Sequence, residues 1–511
     1  MKLYSFEYPE NKNRKALYFR NQNGTTSYDT YFNSFPASQY AKWTGIKEIY
    51  FEAECLADST AELCSALIEN KKYKTQILEK KEIKKGEHFI LKADISSLKK
   101  NTVIFPRFKI TDSSESFCIK NASWNCNDNT KTHNVKIASV ICTYNREEFV
   151  KKNLNLLKDS ECVKDGSLKV FIIDNGNSLK INKDDFSFAE VIPNKNLGGS
   201  GGFTRGIMEV LKFNAQVEEK EKFSHILLMD DDIEFSKEVI YKTKTFLSIL
   251  KPEYFSCITG GAMFNLDAPC LQHENGAKYT SLFISSVKHN LDFSKKESLI
   301  KNMDKKKFDY QGWWYCAIPI ENIKTAGLPL PLFIKADDIE YSLRIKKMFG
   351  KDSIITLNGI GVHHKPFTAK LSPYLVYYSV RNRLIVNALR KRTTFITGIM
   401  LIFARYITML LKNRHMTFFL EKAFLDFLKG PDFLLTCDGE ILNRELISLQ
   451  KNAESQRKKS LLFCFLKSIP VVIKLSFMML FKYGKSVRSY RKSFNLIVSE
   501  KEWKKRLNLE K

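Results

Sequence analysis

Apolar and polar residues alternate through roughly the first 130 positions. Segments such as KEIYFEAEC (47–55), HFILKADIS (88–96) and NTVIFPRFKI (101–110) place an apolar side chain at every second position between polar turns, the period of half-buried strands. This pattern predicts a small β-sandwich over residues 1–132. From Lys136 the period changes to apolar blocks followed by helical repeats: KIASVICTYNREEFVKKNLNLLK, then SLKVFIIDNGN, then a glycine-rich turn with FTRGIMEVLKFN, then HILLMDDD. Strands alternating with helices predict an α/β domain with a mostly parallel sheet over 133–390. Ligands of such sheets bind beyond the carboxyl ends of the strands, where Thr143, Asp174 and Asp230 fall. After about residue 385 the pattern is helical and basic to the end, a third region spanning 391–511.

Charge changes the picture next. The chain of 511 residues carries a formal +26, and residues 381–511 hold 27 Lys and Arg against 10 Asp and Glu. A regional basic excess calls for an anionic partner, nucleic acid or the face of a membrane. Two apolar stretches, 395–411 and 461–481, are interrupted by Arg405 and by Lys467, Pro470 and Lys474, so neither supplies about 20 clean apolar residues. They are expected to lie in a membrane's interfacial plane or to pack on the protein body, not to span. Eleven cysteines without a C-x-x-C pair fit reduced thiols, and the first fifteen residues lack an apolar signal segment. An intracellular protein is the expectation.

Against that basic background, acids gather in two places. Asp230, Asp231 and Asp232 end an apolar run, and strand alternation points Asp230 and Asp232 the same way, toward one hard divalent cation. A solvated acidic turn is the plain alternative. Asp337 and Asp338 precede a helical stretch, where they read either as a cap or as a general base. PNKNLGGSGGFTRGI (193–207) offers a turn open to close backbone approach, or only tight packing; it fits neither a phosphate loop nor a dinucleotide fingerprint. Trp313 and Trp314 suit a core or a stacking surface. In GVHH (361–364), one of the adjacent histidines is a candidate metal ligand.

The order of these motifs resembles the galactofuranosyltransferases of bacterial galactan synthesis, inverting GT-A glycosyltransferases. The resemblance runs from YFNSFPASQYAKWT (31–44) through NLGGSGGFTRG, LLMDDDIEF, DYQGWWYCAIP and PLPLFIKADDIEYSLR to YYSVRNRLIVNAL (377–389). It implies an N-terminal β-sandwich, a GT-A domain and a helical C-terminal region. It also implies that Thr143, Arg146, Asp174 and Asn196 hold the UDP of the donor, with Gly198, Gly199 and Asp231 beside it, and that Asp230, Asp232 and His364 bind Mn²⁺ or Mg²⁺. Asp338 is the implied base, Asp337 a substrate contact, and Trp313 and Trp314 the acceptor-side aromatics. The chain departs from the family at Ala336 and His363, where relatives carry Trp, which bears on the sugar and on the choice between His363 and His364. The expected activity is transfer of galactofuranose from UDP-galactofuranose, or a related UDP-sugar, to a lipid-linked or surface glycan. The expected setting is the cytoplasmic face of the membrane, on anionic lipid, with a homo-oligomer admitted and no nucleic acid partner. The rivals are another nucleotide sugar, a nucleic-acid-binding protein, and a non-catalytic glycan-binding protein.

Overall fold

A computed structural model describes residues 1–9, 11–98, 101–110, 119–182, 184–281, 283–304, 307–350, 352–365, 372–390, 395–413, 416–455 and 461–510. The alternating N-terminal segments form two antiparallel sheets. One orders Lys2–Ser5, Ile119–Cys126, Glu48–Cys55 and His88–Asp94, and the other contains Val103–Ile110 between Thr25–Ser27 and Ser59–Glu69. Their apolar faces meet: Phe51 of the first sheet lies 6.2 Å, ring to ring, from Phe108 of the second. Trp124 is fully buried beside Phe51 and donates its indole N–H to the Asn33 carbonyl at 2.9 Å.

Among the described residues the central sheet has nine strands. Ala189–Pro193, Leu168–Asp174, Ile137–Thr143 and His225–Asp230 run parallel in that spatial order. Tyr315–Pro319 follows antiparallel and pairs onward with Ile258–Asn265, which Ile354–His364 joins in parallel. The parallel strands are nearly continuous apolar runs because both faces are covered. Register aligns their carboxyl ends, with Thr143 opposite Asp174 and Cys142 opposite Asp230. Three polar side chains far apart in sequence thus reach one edge.

The helix expected to begin near Phe203 begins at Gly198 and runs to Gln216. Its glycines explain the early start. A Cβ on Gly202 would lie 2.1 Å from Cys142 Sγ, and one on Gly206 would lie 2.2 Å from Val140 Cγ1, so bare backbone lets this helix press onto the Ile137–Thr143 strand.

C-terminal helices Leu375–Arg390, Phe395–Asn413, Phe418–Leu428 and Leu461–Lys492 pack on one another. Their core is continuous with the loop before Asp337 and the helix that Asp337 opens: Leu330, Leu332, Phe333 and Ile339 share it with Tyr377, Leu384, Phe419 and Leu475. The second interrupted apolar stretch is one helix of 32 residues with Pro470 inside it. It is about 48 Å long, and the most apolar 18-residue window of its Phe463–Lys492 segment has a mean hydropathy of 1.8, so by length and composition the helix could cross a membrane. That differs from the sequence expectation, which took Lys467, Pro470 and Lys474 as breaks.

Candidate metal and transfer site

The triple acid resolves into two functions. Asp231 turns inward and is 5% exposed, accepting from Thr143 Oγ1 at 2.8 Å and from Arg146 Nη1 at 3.0 Å, while Asn153 Nδ2 donates to its carbonyl at 3.0 Å. These bonds fix the turn. Asp230 and Asp232 remain pointed outward, where His364 meets them: its Nε2 lies 3.0 Å from Asp232 Oδ1 and 3.8 Å from Asp230 Oδ2. One ligand atom from each of the three lies within 4.8 Å of the others.

A backbone bridge delivers the histidine. Glu234 N donates to the His363 carbonyl at 2.8 Å and His363 N to the Glu234 carbonyl at 2.7 Å, tying the end of the Ile354–His364 strand to the turn after the acids. Alternation then separates the two rings. His364 faces the carboxylates, whereas His363 turns away, its Nε2 3.1 Å from the Pro269 carbonyl and its ring against Phe264. Burial pushes His363 down to about 3, so it stays neutral in its recess. His364 moves upward: burial opposes its charge, but the bond to Asp232 and the charge of Asp230 outweigh it.

Arg146 Nη1 also lies 2.7 Å from Asp232 Oδ2, so the unfavourable charge of the cluster gathers on Asp230. Burial raises Asp230 to about 7, with Asp232, Asp231 and Asp337 adding to the effect against the opposing pull of His364. Several carboxylates facing each other in poor solvent want a multivalent counter-charge. Two carboxylates and an imidazole make a donor set suited to a divalent cation. The donor set fits the expected ion.

Asp337 and Asp338 open the Asp337–Phe349 helix, directly after a strained turn in which Phe333, Lys335 and Ala336 all have positive φ of 71°, 67° and 68°. Non-glycine residues take that conformation only under constraint, and the constraint is visible. Asn382 Nδ2 donates to the carbonyls of Leu332, Ile334 and Lys335 at 3.2, 2.9 and 2.8 Å, and Arg381 Nη2 donates to that of Leu332 at 2.9 Å. From the other side Ser200 N donates to the Phe333 carbonyl at 3.1 Å. Gly198, at φ +71°, is required there because its Cβ would lie 2.2 Å from that carbonyl oxygen. Asn382 was not singled out from sequence; a short amide in a helix gives no signal until its carbonyl partners are known.

Burial, then the Asp337 charge, raises Asp338 well above the ordinary carboxylate value, and Glu274 adds to this; burial raises Asp337 to about 6. Glu274, at the end of its own strand and hydrogen-bonded by Ser286, is raised by burial to about 7. Sequence reading missed it because a lone Glu in a strand carries no motif.

The remaining expected residues lie around this centre. Asp174 is 2% exposed and accepts from Gly176 N at 2.9 Å and Leu179 N at 2.8 Å, so it shapes the loop after its strand. Asn196 Oδ1 accepts from Gly198 N at 3.1 Å. Gly199 differs from its neighbours: a Cβ there would meet nothing within 4 Å, so its backbone faces open space. Trp313 packs edge-on against Phe203 and Tyr341, and Trp314 donates to the Gly261 carbonyl at 3.0 Å. Their exposures are 5% and 6%, so neither ring offers a broad free face.

Residues 1–127 match a family model described as Galactofuranosyltransferase 2 N-terminal. The chain is similar to the galactofuranosyltransferase GlfT2 of Mycobacterium tuberculosis, at 27% identity over 396 residues, covering 71% of this chain and 58% of that protein. Its similarity to GlfT2 of Mycolicibacterium smegmatis is 27% over 446 residues, covering 80% and 65%. The matched region therefore spans less than two thirds of either relative's own length. Among solved structures, the chain shares a TM-score of 0.37 and 13% identity with GalNAc-T7 bound to UDP, GalNAc and Mn²⁺, over 52% of this chain and 49% of that one. The mannosyltransferase PcManGT from Pyrobaculum calidifontis, in complex with GDP-Man and Mn²⁺, gives 0.33 and 11%, over 69% and 88%.

Proposed function

We propose that the chain is a metal-dependent inverting glycosyltransferase that moves galactofuranose from UDP-galactofuranose to a glycan acceptor during cell-surface polysaccharide synthesis. The observation that carries this reading is the convergence of Asp230, Asp232 and His364, from two strands 132 residues apart, on one position whose surrounding acids include Asp337. The resemblance to GlfT2 proteins supplies the sugar.

In this reading residues 133–390 form a GT-A domain, 1–132 a β-sandwich beside it, and 391–511 a membrane-facing helical region. The donor lies over the carboxyl edge of the sheet, with UDP against the Thr143–Arg146 segment, Asp174, Asn196 and the open backbone at Gly199. Asp230, Asp232 and His364 would hold Mn²⁺ or Mg²⁺, which when bound neutralises charge gathering on the UDP leaving group. Asp338 takes the proton of the attacking acceptor hydroxyl, whose oxygen bonds to the anomeric carbon as the carbon–oxygen bond to UDP breaks. Burial and the Asp337 charge raise Asp338, the direction that makes its carboxylate a stronger base, and Asp337 contacts substrate beside it. Trp313 and Trp314, both buried, would support the acceptor side from behind and not as stacking faces.

Membrane association is supported by the surface of the last region. Ile396, Met400, Phe403, Ile407 and Leu411 form one exposed apolar stripe, and Leu466, Ile469, Ile473, Phe477 and Leu480 form another on the Leu461–Lys492 helix. That helix holds seven Lys and Arg and no acid. Leu475, Met479 and Tyr483 bury its opposite face against the neighbouring helices, so it lies along the protein and presents its apolar side to the interface of an anionic cytoplasmic leaflet.

Incubation with UDP-galactofuranose and short galactan acceptors, followed by product mass spectrometry, tests the function. Products extended by whole hexose units, lost in EDTA and restored by Mn²⁺, are expected; transfer that is indifferent to EDTA would sink the metal reading. Ala336, in place of the family's Trp beside the base, is the feature that favours a different UDP-sugar, and a donor panel in the same assay decides it.

A further inference from the structure

The turn after the acidic triple is held by the N-terminal region, more than 200 residues away in sequence. Glu234 pairs its backbone with that of His363, and its side chain is held from two sides. Arg14 Nη2, on the short 3₁₀ helix Lys12–Leu17, lies 2.5 Å from Glu234 Oε2, and Lys152 Nζ, on the Glu147–Lys158 helix, lies 2.6 Å from Oε1. Arg14 is 17% exposed and Lys152 63%, so the arginine pair is partly withdrawn from water while the lysine pair is screened by it. Arg14 is the firmer hold.

Further contacts join the same segments. Ser236 Oγ donates to Glu7, Ser5 N donates to Glu238 Oε2 at 3.1 Å, and Cys270 Sγ donates to the Asn13 carbonyl at 3.4 Å. Cys270 follows Pro269, whose carbonyl lies 3.1 Å from His363 Nε2. The N-terminal region therefore touches both supports of the strand end: the Glu234 turn that bonds the His363 backbone, and the Pro269 loop that holds the His363 ring. Alternation carries this to the metal site, because fixing His363 on one face of the strand fixes His364 on the other, toward Asp230 and Asp232. A ligand displaced by about 0.5 Å already loses its productive geometry.

We propose that Arg14 is a positioning residue of the metal site: through Glu234 and the backbone of His363 it holds His364 against Asp230 and Asp232, so that the N-terminal region completes the site. The bearing on the cation rests on the metal-site reading; the hold of Arg14 on the Glu234–His363 bridge does not. The sign of the effect separates positioning from charge. A cation near a metal ion repels it, so electrostatics alone would have the loss of Arg14 tighten Mn²⁺ binding. Positioning predicts the reverse.

Calorimetric titration of Mn²⁺ with UDP present compares the full chain as wild type, R14Q, R14K, H364A and R14Q/H364A. R14Q is expected to bind Mn²⁺ about fivefold or more weakly, and R14K, which keeps the charge, to stay within about threefold of wild type. In the H364A background R14Q is expected to add nothing, because its effect runs through that ring. R14Q that binds Mn²⁺ as tightly as wild type or more tightly, whether or not it melts lower, overturns the proposal. So does an R14Q loss that persists undiminished in H364A. Hydrogen exchange in EDTA reads the link without metal. Peptides covering 230–236 and 360–365 are expected to exchange about tenfold faster in R14Q than in wild type, with peptides of the N-terminal sheets unchanged. Unchanged exchange in both segments overturns the hold on the bridge, and faster exchange across the whole chain marks a merely structural arginine and overturns it too. A wild type that binds no Mn²⁺ refutes the metal reading, and exchange in EDTA still decides whether Arg14 holds the bridge.

Discussion

At the scale of single residues, Asp338 works against the stability of the fold that holds it. A carboxyl whose folded value is raised gives its most favourable contribution below the unfolded value, near pH 4, and that contribution is lost as pH rises through the raised value. D338N cannot ionise. It is therefore expected to melt higher than wild type at pH 8, with the gap closing toward pH 5, while losing on the order of 10²-fold or more in kcat and keeping donor affinity. A D338N protein that melts lower at pH 8 would contradict the burial argument. Asn382 carries the opposite expectation. Asn382→Ala removes three hydrogen bonds from a turn with three strained residues, and is expected to cost about 1–3 kcal/mol and to lower kcat more than it raises the KM of the donor. Denaturant melts and steady-state kinetics check both parts.

At the scale of elements, the glycines of the Gly198–Gln216 helix let it press onto the Ile137–Thr143 strand. Gly202→Ala drives a methyl into Cys142 Sγ and is expected to destabilise by about 1–3 kcal/mol; Gly199→Ala, in open space, is expected to leave the melt unchanged and to weaken UDP binding. Equal melts for the two variants would reject this division. The glycines also show how far sequence reading reached. Their run announced close approach, but whether backbone approached protein or ligand depended on which strand lay beneath, and only one of them faces open space. Strand ends were more legible: apolar runs stopping at Thr143, Asp174 and Asp230 placed those residues on one edge because parallel strands share a direction. The choice between His363 and His364 was not legible, since it depends on a bridge to Glu234 that no local pattern encodes. The tryptophan pair suits a core or a stacking surface by sequence, and it lies in the turn before Tyr315–Pro319 with both rings buried.

At the scale of the whole molecule, the C-terminal helices act on the site from behind. Trp503 Nε1 donates to the Pro329 carbonyl at 2.9 Å and Leu328 N to the Val498 carbonyl at 3.1 Å, so the end of the chain braces the loop leading to Asp338. Deleting residues 391–511 would strip that loop of its core; point changes are the cleaner probe of membrane binding. Ile473→Glu with Phe477→Glu, both on the exposed stripe, is expected to reduce sedimentation with phosphatidylglycerol vesicles at least tenfold while leaving the melt and transfer to a soluble acceptor intact. Undiminished sedimentation would remove this face from the membrane. The cation grip at the sheet edge is the claim on which the functional reading depends, and calorimetric titration of Mn²⁺ in the presence of UDP addresses it directly. Wild type is expected to bind one Mn²⁺ per chain, with H364A and D232N weakened at least tenfold and H363A unchanged. Equal binding by all four proteins would contradict the site.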